Sequence, residues 1–207
     1  MYMVPCTSDS TRTNVLISLR LPHLGELITY DCLVEHPREM VSLATHLMNN
    51  ALVMLSLGAT DHLLIKPWLK GQTKPKDVTI ARWFFMHAIA NALVCVTAAV
   101  SVVAAFADPL NAMDGVSHPD RSTFGSASVW PLTIINSIHV YHMIGGFNLT
   151  SADYFHHLLF IPLLGFPGQV FNWGAVENCG AFFISGLPGG VNYFALGLYK
   201  LGAIDAR

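Results

Sequence analysis

The sequence predicts an all-α fold: a polytopic bundle of about five membrane-spanning helices, broken within the fourth and fifth. Residues 40–60, 83–107, 122–152, 154–176 and 178–199 contain no Asp, Glu, Lys or Arg, and together they exceed half of the chain. A helix crosses the hydrocarbon core of a bilayer with about 20 apolar residues, in a working range of roughly 17–25. Each of these stretches is long enough. Composition agrees, with 53% hydrophobic and 12% charged residues and a mean hydropathy of +0.48. A soluble domain carries about 25% charged residues.

The elements follow in order. Residues 1–39 hold Arg12, Arg20 and several Ser and Thr but no long apolar run, so they read as an extramembrane arm. Residues 40–207 form a single transmembrane domain. Its first helix spans Met40–Thr60 and ends before Asp61-His62; His46, two turns after Glu39, reads as interfacial. The second spans Trp83–Ala107, rich in Ala and Val without an interior proline, and stops at Asp108-Pro109. A loop over 108–129 leads to the third helix, Trp130–Ile144, ended by Gly145-Gly146. The fourth segment carries Pro162 and Pro167. An interior proline costs about 3 kcal/mol, which predicts a kink. The fifth starts at Trp173 and is interrupted at Leu187-Pro188-Gly189-Gly190.

Lys66, Lys70, Lys74, Lys76 and Arg82 make the connection between the first two helices the most basic one. The positive-inside rule puts it on the cytosolic or matrix-equivalent side, with Lys70, Lys74 and Lys76 at the lipid headgroups. Five spans place Lys200 and Arg207 on that side too, and the N-terminus opposite. The Asn148-Leu149-Thr150 sequon then falls on the wrong side for glycosylation and reads as a chance match.

A net charge of −2 offers no basic face for nucleic acid. Cys6, Cys32, Cys95 and Cys179 have no metal-ligand spacing, and only Cys6 and Cys32 are placed for a disulfide. No metal site and no cofactor is expected, since no phosphate loop, dinucleotide fingerprint or haem attachment is present. The expected location is an integral membrane of the endoplasmic reticulum or an organelle's inner membrane.

Histidine is the unusual feature. Of ten, six lie in or beside apolar segments, where ionisable groups face a bundle interior or a wet cavity. His139 and His142, three apart, share one helix face. His156 and His157 are about 100° apart around a helix, so only one is expected to join that face. Glu177 is placed to orient a histidine. His87, His139, His142 and Trp173 are candidate ligand or lipid contacts.

The order Arg82, His87, Asp153-Tyr154-Phe155-His156-His157 and Glu177 resembles the TLC group of membrane proteins, which includes ceramide synthases, over roughly residues 80–200. The resemblance implies a helical membrane fold and acyl transfer served by the pair His156 and His157, with Asp153 as the preceding acid. The paired downstream aspartates of that group are absent, Glu177 stands alone, and the chain is at least one helix shorter. Ile138-His139-Val140-Tyr141-His142 is also similar to the HVYHH box of fatty-acid elongases, with Met143 in the last histidine's place.

These features support a lipid-contacting helical subunit of a larger membrane assembly, with membrane lipids and neighbouring transmembrane subunits as partners. The alternatives are a TLC-like lipid-metabolising or lipid-binding protein, and a small channel or transporter.

Overall fold

Short runs rich in Val, Ile, Leu, Thr and Tyr over 14–20 and 27–33 suit strands, and a computed structural model pairs them. Strands β1 (Asn14–Arg20) and β2 (Leu27–Leu33) form an antiparallel hairpin with Asn14 opposite Leu33 and Ile17 opposite Tyr30. From residue 41 onward the described elements are all helices, as the all-α expectation has it, and the hairpin lies in the N-terminal region. The structure describes residues 14–20, 27–33, 41–71, 75–112 and 127–205. Contacts divide the chain into two units, Met1–Glu39 and Met40–Arg207.

In the second unit, α1 (Leu43–Thr60) starts at Ser42, whose Oγ accepts from Thr45 N at 3.2 Å, the ordinary satisfaction of an orphan amide. The helix does not stop at Asp61. It passes through a π-turn at Asp61–Ile65 into α2 (Lys66–Leu69). Next, α3 (Pro75–Ala107) has 33 residues and spans about 50 Å. It begins before the expected Trp83, because proline is tolerated in a first turn and Arg82 has a buried partner. A short α4 (Pro109–Ala112) follows.

Helix α5 (Trp130–Ile144) has the expected bounds. Pro162 falls in a π-turn, Ile161–Gly165, between α6 (Ser151–Phe160) and α7 (Phe166–Phe171), where the freed carbonyl is tolerated. The fifth segment comprises α8 (Ala175–Ala181), a π-turn at Phe182–Gly186 and α9 (Leu187–Lys200). The expected interruption falls slightly earlier, in the π-turn that ends at Gly186, and Pro188 occupies the first turn of α9.

Two helices among the described residues are long and apolar enough to cross a membrane, Val78–Ala107 and Ala175–Lys200. They run antiparallel. Phe85 meets Phe194 and Gly197, Asn91 meets Gly189, and Cys95 meets Gly186. A Cβ on Gly197 would fall 2.8 Å from Phe85 Cζ, so the small residue is what permits this approach. The core unites Leu57, Leu69, Phe85, Met86, Val94, Ile134 and Ile138.

Candidate functional site

Three helices bring imidazoles together. His87 comes from α3, His139 and His142 from α5, and His156 and His157 from α6. Ring centroids lie 3.8 Å apart for His87 and His142, 5.3 Å for His139 and His156, 5.0 Å for His139 and His157, and 5.6 Å for His142 and His157. Both members of the adjacent pair therefore reach the cluster, correcting the expectation that only one would. Their rings straddle His139, with His157 buried and His156 exposed.

Local hydrogen bonds fix which nitrogens carry protons. His139 Nδ1 donates to the Ile135 carbonyl at 2.7 Å, so Nε2 of the neutral ring is a bare acceptor. It lies 3.2 Å from His156 Nε2, which must then be the donor. His87 Nδ1 likewise donates one turn back, to Trp83 O at 3.1 Å, leaving its Nε2 bare. The Trp83 indole can only donate, and it does so to His142 Nδ1 at 3.1 Å. His142 Nε2 thus holds the proton of a neutral ring. His142 Nε2 and His157 Nδ1 are buried and have no hydrogen-bond partner among the described residues.

Beside the cluster lies a cavity of about 700 Å³. His87, His139, His156, Asn91, Tyr193 and Glu177 supply polar lining, and Leu132, Ile135, Phe160, Leu164 and Ile184 supply apolar lining. Trp173, 48% exposed, also lines it. Among the described residues no three His, Cys, Asp or Glu side chains are arranged to hold a metal ion.

The two acids near the cluster serve the backbone. Asp153 closes a capping box: Thr150 Oγ1 accepts from Asp153 N at 3.3 Å, and Asp153 Oδ2 accepts from Thr150 N at 2.7 Å. Glu177 Oε2 accepts from Trp173 N at 3.2 Å and hydrogen-bonds no histidine, although it shares the cavity with His156. The expected histidine partner is replaced because Asn172 in the left-handed region and Gly174 turn the chain there, aiming the amide at the carboxylate. Gly168 makes room, since a Cβ there would lie 2.0 Å from Glu177 Oε1.

Of the headgroup candidates, Lys70 is exposed at the end of α2. Lys74 and the side chain of Lys76 lie outside the described residues, as do Cys6 and the side chain of Cys32.

Two polar clusters escaped the sequence reading. Asp61 is wholly buried and receives Arg82 Nε at 2.6 Å, Arg82 Nη2, and the Tyr141 hydroxyl at 2.5 Å. Arg82 Nη2 also donates to Gly145 O at 2.8 Å, and the guanidinium lies 4.1 Å from the Phe147 ring centre. In the second cluster, Gln169 Oε1 accepts from Asn50 Nδ2 at 3.1 Å and Asn136 Nδ2 at 2.8 Å. Its Nε2 lies 3.4 Å from Nδ1 of His46. His46 is 1% exposed, so it is a core residue, not an interfacial one. The available signal was the charge of Asp61 and Arg82 at the edges of apolar stretches. No family model, curated protein or solved structure matches the chain.

Proposed function

We propose that the chain is a polytopic membrane protein that takes up an amphiphilic, lipid-like molecule in the imidazole-lined cavity. The observation that carries this reading is a cluster of five histidines, three of which, His87, His139 and His156, line a cavity that also has apolar walls. Apolar walls receive a chain, and a few convergent polar groups orient the head. The bare Nε2 of His87 suits a hydroxyl or amine donor, and the unpartnered nitrogens of His142 and His157 leave the deeper ring layer open to a polar group. Helix α1, α5 and the α6–α7 segment join the two longer helices as spans in this reading, with the Lys66–Arg82 side facing the cytosol or its equivalent.

The resemblance to the TLC group names acyl transfer as the chemistry such a cluster serves. His156 is the member of the His156–His157 pair that lines the cavity, so it is the residue assigned to meet the reacting group. A palmitoyl probe with a chain diazirine, photolysed on the full-length protein in nanodiscs, tests uptake. Labels at Leu132, Ile135, Leu164 and Ile184, lost in His139→Ala, are expected. Labelling elsewhere only would overturn the reading. Lipid profiles of cells expressing His156→Ala separate turnover from binding, because one product disappears only if the cluster is catalytic.

A second reading, a non-catalytic subunit of a larger assembly, draws on the outward side chains of α1. Leu47, Leu52 and Leu55 are each more than half exposed and are covered either by lipid or by a neighbouring subunit. Native mass determination in mild detergent distinguishes the two coverings.

A further inference from the structure

A second cavity, of about 660 Å³, opens on another face of α3 and the opposite face of α9, and its lining is almost wholly apolar. Trp68, Phe85, Ile89, Ala92, Gly190 and Val191 form its wall, between the two helices that are long and apolar enough to cross a membrane. Ala88, Ala92 and Gly190 hollow it out: larger side chains there would fill the space.

Its extent and its rim identify the occupant. From Phe85 to Cys95 the groove covers ten residues of α3, about 15 Å at the helical rise. That is half of the roughly 30 Å hydrocarbon core. A chain rooted at one interface fills such a depth, whereas a partner helix would need the full span. The groove also has a cationic end. Ile65 and Trp68 line it, and between and beyond them stand Lys66 and the exposed Lys70. Lys66 Nζ lies 2.9 Å from His62 Nε2, four residues earlier in the chain. Trp68, 52% exposed, meets Phe85 edge-on at 5.0 Å. Tryptophan with lysine marks headgroup depth.

We infer that this groove holds one acyl chain of an anionic glycerophospholipid, with the phosphate at Lys66 and Lys70. The site is separate from the imidazole cavity and rests only on the membrane-spanning part of the function proposed above.

The test uses the full-length protein in phosphatidylcholine nanodiscs doped with phosphatidylglycerol carrying a chain diazirine. Photolabels are expected to concentrate at Ile89, Ala92 and Val191 over Val100, Val103 and Phe106, which are equally apolar and more than 60% exposed. Lys66→Gln with Lys70→Gln should cut groove labelling by about tenfold, since each basic side chain adds attraction for anionic lipid. Lys70 is exposed and Lys66 half-buried, so Lys70→Gln alone, expected to lower groove labelling in the same sense, checks that the effect does not come from the fold. Ala92→Phe should abolish groove labelling while leaving the palmitoyl labelling of the imidazole cavity unchanged. Uniform labelling along α3, equal labelling by a phosphatidylcholine probe, or cross-links between two copies at Val191 would each overturn the proposal. Release of the protein by alkaline carbonate would instead show that the membrane reading has failed, and the groove assignment with it.

Discussion

Two buried polar clusters share helices α3 and α5, yet they are built in opposite ways. In the ionic cluster every strong group is matched: Arg82 is divided between Asp61 and Gly145 O, and Asp61 also receives Tyr141. In the imidazole cluster two ring nitrogens are buried without a partner among the described residues, and neither Asp153 nor Glu177 hydrogen-bonds a ring. Arg82 and His87 are five residues apart on one helix, and Tyr141 and His142 are adjacent on another. The difference therefore lies in the chemistry of the side chains, not in depth or neighbourhood. A matched cluster fixes how helices sit, whereas an unmatched one keeps a free energy of hydrogen bonding available to a ligand.

The largest expected effect breaks the matched cluster. Asp61→Ala leaves the Arg82 guanidinium buried and uncompensated, which costs about 3–5 kcal/mol. Thermal unfolding of the detergent-solubilised protein should show a large drop in midpoint. Asp61→Leu combined with Arg82→Met should restore most of it, because replacing both charges removes the desolvation penalty. A single variant as stable as the wild type would mean that the pair fixes nothing.

Gln169→Ala removes the shared acceptor of Asn50 and Asn136; Asn50 Nδ2 keeps the His46 carbonyl, while the buried Asn136 amide loses its partner, at about 1–3 kcal/mol. The same unfolding measurement should show an intermediate loss, with palmitoyl labelling of the imidazole cavity retained by the folded fraction. Loss of labelling without loss of stability would place the amide cluster on the functional side of the comparison.

Asp153→Ala should cost about 1 kcal/mol by opening the capping box of α6. Asp153→Glu, a side chain ordinarily used at that position, should recover it. An acid acting on substrate would not tolerate the longer side chain, so recovery of stability and of lipid turnover together assigns Asp153 to the helix end.

Much of this arrangement could be read from the chain because it is encoded locally. Trp130–Ile144 closes at Gly145, and Pro162 marks the turn between α6 and α7, since glycine and proline act on their own backbone. The concentration of histidines was visible for the same reason: their number in apolar stretches is a property of sequence alone. Asp61 was not placed, because its burial depends on Arg82, 21 residues away, and on Tyr141, 80 residues away. A charge beside an apolar run looks the same whether it ends a helix in water or joins a buried pair. Glu177 misled in the opposite sense: proximity in sequence to the histidine segment suggested an imidazole partner, while the turn at Asn172–Gly174 supplied a nearer amide.

The smallest expected change in stability is the most informative about the unmatched cluster. His157 is 3% exposed, and its Nδ1 has no partner among the described residues. Removing a buried polar atom that makes no hydrogen bond forfeits nothing and relieves its desolvation. Leucine is close to imidazole in size, so the ring's contacts with His139 and His142 are largely refilled. His157→Leu is therefore expected to unfold within about 1 kcal/mol of the wild type, on the more stable side, while palmitoyl labelling of the cavity falls. That pairing of unchanged stability with lost uptake is the signature of a group held for a ligand. A loss of 2 kcal/mol or more, comparable to the Gln169→Ala variant, would show that the nitrogen is already satisfied in the folded protein. The two clusters would then be the same kind of scaffold, and the contrast between them would disappear.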